Sequence, residues 1–156
     1  MASVDPLPFP LELPDRAVDS ESIPWVPFTE GGDFRPLRFD LVNGSWVEIT
    51  RMRAGCSVSR HRHVGSVLGF CLEGSWRYLE RGWVARPGTL IFEPPGDVHT
   101  LETGPDGMTT LFVINGSIQY LDEHGALRGE DTVHSMLATY IAHCRATGAA
   151  VLDLRF

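Results

Sequence analysis

At 156 residues, with 43% hydrophobic and 21% charged side chains, the chain has the size and balance of one packed domain, neither disordered nor membrane-spanning. A formal charge of −7 with thirteen scattered basic residues excludes nucleic acid as the expected partner, because phosphate backbones are held by clustered Lys and Arg. Three cysteines without a CxxC pair exclude a disulfide framework or zinc ribbon, and the lack of a leader or a long apolar run makes a cytoplasmic chain with no membrane partner the expectation.

Residues 1–36 carry prolines at 6, 8, 10, 14, 24, 27 and 36, which fix φ and remove backbone donors, so an extended arm is expected there. Its apolar residues Leu7, Phe9, Leu11, Trp25, Val26 and Phe28 need burial, either on the chain's own barrel or on a neighbouring copy. Residues 37–121 then read as short strands rich in β-branched and aromatic residues. The runs are 38–42, 45–53, 66–72, 75–80, 83–85, 89–92, 98–102, 108–114 and 117–121. Asn43-Gly44, Glu73-Gly74 and Asn115-Gly116 are hairpin signals. Many short strands without intervening helices predict an all-β sandwich or barrel. Residues 122–156 end the chain with one amphipathic helix from about Thr132, its stripe formed by Val133, Met136, Leu137, Tyr140, Ile141 and Cys144, and Gly148 as its stop.

Three of the six histidines stand apart. In an extended segment His61 and His63 project from one face, a two-point clamp for a metal. Gly55, His61, His63 and Gly74 reproduce the spacing G(X)5HXH(X)3,4E(X)6G, except that Val67 or Leu68 stands at the glutamate position. Gly88, Pro94, Gly96 and His99 reproduce G(X)5PXG(X)2H(X)3N, with Thr103 at the asparagine position.

In these two motifs the sequence resembles the cupin superfamily. Through WVPF at 25–28, FRPLRFD at 34–40, HRHVGSV at 61–67, LEGSWRYLE at 72–80 and FEPPGDVHTL at 92–101 it is most similar to the three-histidine iron dioxygenases. Those are the acetylacetone-cleaving enzyme and 2,4'-dihydroxyacetophenone dioxygenase. The resemblance implies a cupin jelly-roll barrel with the arm and helix outside it, and a divalent metal, Fe(II), on His61, His63 and His99. Zn or Ni can displace iron during isolation. It further implies a homo-oligomer whose partners are a small carbonyl substrate and dioxygen, and cleavage of a carbon-carbon bond beside a carbonyl in a β-diketone or α-hydroxyketone. Glu93, six residues before His99, matches a glutamate near the metal in the acetylacetone-cleaving enzyme and is the expected catalytic residue, hydrogen-bonding a metal-bound water or a ligand imidazole and tuning its basicity. Arg77, Tyr78 and Phe112 are candidates for the pocket wall, subject to strand phase. Three neutral ligands leave a metal's charge uncancelled, which suits an anionic bidentate ligand such as an enolate. Two alternatives share the ligand set: a zinc hydrolase or hydratase, and a metal-binding sensor without turnover.

Overall fold

The computed structural model describes residues 15–156, so the expectations for Leu7, Phe9 and Leu11 lie outside the described residues. Strands form where side chains alternate between a buried and an open face. They are β1 (Val26–Thr29), β2 (Gly32–Asp40), β3 (Ser45–Met52), β4 (Ser57–His63), β5 (Val67–Tyr78), β6 (Leu90–Glu93), β7 (Val98–Asn115), β8 (Ile118–Leu121) and β9 (Leu127–Asp131). One helix follows, α1 (Val133–Thr147).

The strands join in a single antiparallel sheet in the order β1-β2-β3-β7-β4-β8-β9, with β5 pairing both β7 and β6. Two long strands bend this sheet into a jelly-roll barrel. The second half of β7 pairs with β3 through Met108 to Asn115, whereas its first half pairs with β4 through Val98 to Glu102. β5 follows it along both halves. One wall is therefore β1-β2-β3-β7-β5-β6 and the facing wall is β9-β8-β4-β7-β5, with inward side chains of both closing the core.

Several elements depart from the pattern read in the sequence. β1 and β2 begin the barrel at Val26, inside the stretch whose prolines predicted an arm. Pro27 lies in an edge strand, and Pro36 lies at a register shift beyond the end of β1, the two settings in which a missing N–H is harmless. Val26 is buried, and Trp25 lies under Arg35 and Arg51, whose guanidinium carbons sit 4.3 and 4.2 Å from its ring centre. This part of the N-terminal segment thus docks on the chain's own barrel. The run at 83–85 makes only an isolated bridge between Ala85 and Trp76, and β9 arises where no strand was expected.

Glu73-Gly74 is a bulge inside β5 rather than a hairpin, with register shifts on both sides of it. There the long strand turns from one wall to the other, and Gly74 holds φ at 68°. Asn115-Gly116 also joins no hairpin, because β7 and β8 both pair with β4 instead of each other.

α1 matches its expectation closely. Thr132 caps it in a reciprocal capping box with Ser135, and Gly148 ends it in the left-handed conformation. Val133, Met136, Tyr140 and Cys144 bury against the barrel, where the Tyr140 ring lies 6.2 Å from Phe39. On the outside, Leu68, Phe70 and Leu72 of β5 and Leu90 and Phe92 of β6 are between 41% and 65% exposed and form one apolar stripe across the paired strands.

A Cβ at position 74 would stand 2.1 Å from the carbonyl oxygen of Gly107. Gly74→Ala is accordingly expected to cost about 3 kcal/mol, from the positive φ and the backbone clash together. Urea unfolding at neutral pH measures it, and a change within about 0.5 kcal/mol would contradict this account of the bend.

Candidate metal centre

β4 and β7 are adjacent, and their register sets His61 directly opposite His99. His63 follows two residues along β4, on the same inward face, with the exposed Arg62 between them. The three rings converge, with centres 5.0 Å (His61 to His63), 4.6 Å (His61 to His99) and 5.3 Å (His63 to His99) apart. One ligand nitrogen from each lies within 4.8 Å of the others. All three are buried, to 4%, 5% and 0% exposure.

Burial disfavours the imidazolium form, and each imidazole is pushed below its ordinary pKa, His61 to about 4 and His63 to about 2. The rings stay neutral near pH 7, which is the state a metal requires. Two of them have their second nitrogen fixed by an acceptor. Nδ1–H of His61 donates to the Ser59 carbonyl at 2.7 Å, and Nδ1–H of His99 to the Asp97 carboxylate at 3.2 Å. That choice of tautomer leaves the Nε2 lone pairs of His61 and His99 free, and Nε2 of His99 has no hydrogen-bond partner although buried. A buried, orphaned acceptor beside two more imidazoles is what a bound cation would satisfy, so the residues fit a divalent metal.

Glu93 closes the site from β6. Its Oε2 lies 3.2 Å from Nε2 of His63 and 3.5 Å from Nε2 of His99. With both imidazoles neutral these are polar contacts rather than ion pairs. Burial outweighs the hydrogen bond that Tyr78 donates to Oε1, and raises the Glu93 carboxyl to about 7. The Tyr78 ring stacks on His99 with centres 3.6 Å apart, so one residue positions both neighbours.

A cavity of about 60 Å³ opens beside the histidines, room for a few water-sized groups. Tyr78 and Phe112 line it. Arg77 does not: it is exposed and paired with Glu102 at 2.8 Å on the outer face, because neighbours in a strand cannot both face inward and Tyr78 takes the inward place.

The sequence reading missed Tyr120, Asp97 and Glu48. Tyr120 sits opposite His61 across β4 and β8, with ring centres 6.2 Å apart. Glu48 is 6% exposed, and it lines the cavity from β3. It accepts hydrogen bonds from Trp46 Nε1 at 3.0 Å and Thr50 Oγ1 at 2.8 Å. Alternation along Trp46, Glu48, Thr50 and Met52 would have revealed a carboxyl at a core phase. His124 and His134 are exposed, His143 is half-buried on α1, and none of them belongs to this cluster.

A family model described as the ChrR cupin-like domain matches residues 14–119. Among solved structures, an RmlC-like cupin protein from Ralstonia eutropha JMP134 is 26% identical with a TM-score of 0.89, covering 92% of this chain and 96% of that one. A second protein of that organism, of unknown function with a cupin-like fold, is 22% identical (TM-score 0.83, covering 90% and 91%). An acetylacetone dioxygenase from Acinetobacter johnsonii is 20% identical (TM-score 0.76, covering 89% and 99%). No curated protein sequence matches the chain.

Two measurements follow from this geometry. His99→Ala should abolish stoichiometric binding of a divalent metal, and Asp97→Asn should weaken it about 10- to 100-fold, by metal titration against a chelator; full retention in His99→Ala would refute the assignment. Burial also raises the Glu48 carboxyl to about 7 from 4.5, so the folded state holds that proton more tightly than the unfolded chain. Its contribution to stability is present below about pH 4.5 and is lost as the pH rises through 7. Relative to wild type, Glu48→Gln should therefore gain up to about 3 kcal/mol between pH 5 and 8 in denaturant unfolding. Parallel pH profiles would contradict it.

Proposed function

The chain belongs to the ChrR cupin-like family, and from that premise we propose that it is a non-haem Fe(II) dioxygenase cleaving the carbon-carbon bond beside a carbonyl of a β-diketone or α-hydroxyketone. The observation that carries the reading is a ligand set of three neutral imidazoles next to a raised carboxyl that is not one of the clustered ligands. Such a set leaves a dication's charge uncancelled and favours an anionic chelating oxygen pair over a neutral substrate. The similarity of fold to the acetylacetone dioxygenase supports the same reaction class.

His61, His63 and His99 would hold the metal, with Ser59 and Asp97 fixing two of the rings. When bound, iron would supply Lewis acidity toward the carbonyl oxygens and electrons for dioxygen reduction. The remaining tasks fall to this chain's own groups. A β-diketone must lose a proton to chelate as its enolate, and Glu93 Oε2 is the acceptor beside the ligand nitrogens, with a pKa near the working pH. Tyr78 holds that carboxyl in place through Oε1 while its ring packs on His99. Phe112, Leu101 and Ile118 line the cavity with apolar surface that excludes water from the reacting carbon. Assembly as a homo-oligomer is part of the proposal, supported by the exposed apolar stripe of β5 and β6.

Oxygen uptake by anaerobically iron-loaded protein, offered β-diketones and α-hydroxyketones, tests the reading. Uptake with carboxylic-acid products, absent in zinc-loaded protein, is the expected result. Glu93→Gln should retain iron and lose about 100-fold in kcat. No uptake across the panel at full iron occupancy would overturn the reading, leaving the zinc hydrolase and the sensor.

A further inference from the structure

The cavity has two polar poles, and the metal centre uses only one. His61, His63 and His99 project from the wall built on β4 and the first half of β7. Glu48 projects from the wall built on β3, where it pairs with Phe112 in the second half of β7. His61, His63 and Glu48 line the same cavity, with Val58, Met108 and Ile114 supplying apolar lining. A carboxyl at 6% exposure in such surroundings is expensive, and satisfying the buried Trp46 indole N–H takes only one acceptor oxygen, not a carboxyl.

Glu48 accepts one hydrogen bond at each oxygen, from Trp46 and from Thr50, and these fix its plane without exhausting it. Each oxygen keeps capacity for one further partner. Tyr120 on the facing wall already donates its hydroxyl to Asp131 at 2.9 Å, and Thr50 beside Glu48 donates to Glu48 itself, so Glu48 is the group the β3 wall presents to a ligand.

We propose that Glu48 is a specificity-determining residue, and that it selects a compact ketone carrying a hydroxyl group at the end remote from its metal-chelating oxygens. A hydroxyl both donates and accepts, so it satisfies this carboxyl in either protonation state. An apolar end leaves the carboxyl's remaining hydrogen-bonding capacity facing carbon and unmet. Burial and the nearby Asp131 charge both hold the carboxyl toward its neutral form, which disfavours a cationic ligand end. The inference rests on the proposed reading only for the identity of the chelating head.

The test is calorimetric binding of a matched pair, a linear β-diketone and its counterpart with one terminal hydroxyl, to zinc-loaded wild-type protein, in which no turnover occurs. The hydroxylated ligand is expected to bind at least about tenfold more tightly. Glu48→Met should bring the ratio to near one while the plain diketone binds as well as before or better. Glu48→Gln, which can still donate and accept, should keep the ratio within about threefold of wild type. Should Glu48→Met fail to unfold cooperatively, Glu48→Ala takes its place with the same expected ratio. A wild-type ratio near one, an unchanged ratio in the apolar variant, or no binding of either ligand would overturn the proposal. Because oxygen uptake is no part of this readout, a failed turnover assay leaves the ratio standing, and a failed ratio leaves the dioxygenase reading to its own assay.

Discussion

The desolvation of three imidazoles is the constraint on which the rest of the structure depends. Water would protonate His61, His63 and His99 as the pH falls toward the ordinary imidazole range; a dry barrel interior holds them neutral and available as donors. Dryness requires that every other polar group nearby be accounted for. Ser59 and Asp97 take the outer N–H groups of two rings, and Tyr78 occupies one oxygen of Glu93. Of the atoms left without a partner, Nε2 of His99 and Oε2 of Glu93 lie side by side at the histidine cluster. The barrel closes the site because β5 and β7 are long enough to serve both walls and bend sharply where Gly74 meets Gly107.

Two carboxyls give the cavity its chemical direction. Glu93 and Glu48 are both buried, and burial raises both to about 7. Their settings differ. Glu93 faces the ligand nitrogens and lies where a proton would leave a chelating substrate. Glu48 lies on the β3 wall among apolar side chains, held by an indole and a hydroxyl. In the proposed function one acid moves a proton and the other recognises a group, each from the wall that holds it. Both place a stability cost inside the barrel, against which burial of the hydrophobic core works.

The histidines were legible in the sequence because metal-ligand spacing and glycine framing are local signals: His61 and His63 share a strand face, and Gly96 and Pro94 set the turn before His99. The helix was legible for the same reason, since Thr132, the apolar stripe and Gly148 all lie within one short segment. What escaped were features decided by pairing over distance. Glu73-Gly74 reads as a hairpin in isolation and becomes a bulge only because β7 continues beside it. Trp25, Val26 and Phe28 sit in a proline-rich stretch whose strand character depends on an edge position that no local pattern reveals. Arg77 and Tyr78 are equal candidates until the phase of β5 is known. Glu48, Asp97 and Tyr120 carry no motif, and their relevance comes from the wall they face.

The central claim is that three imidazoles, and no fewer, hold the metal. Iron K-edge X-ray absorption on the anaerobically iron-loaded protein tests it most directly, because imidazole rings give a multiple-scattering pattern whose amplitude reports their number. Three imidazole donors completed by light atoms from solvent are expected. A spectrum fitted by two imidazoles or fewer, or by the same shell in protein lacking the His99 ring, would contradict it.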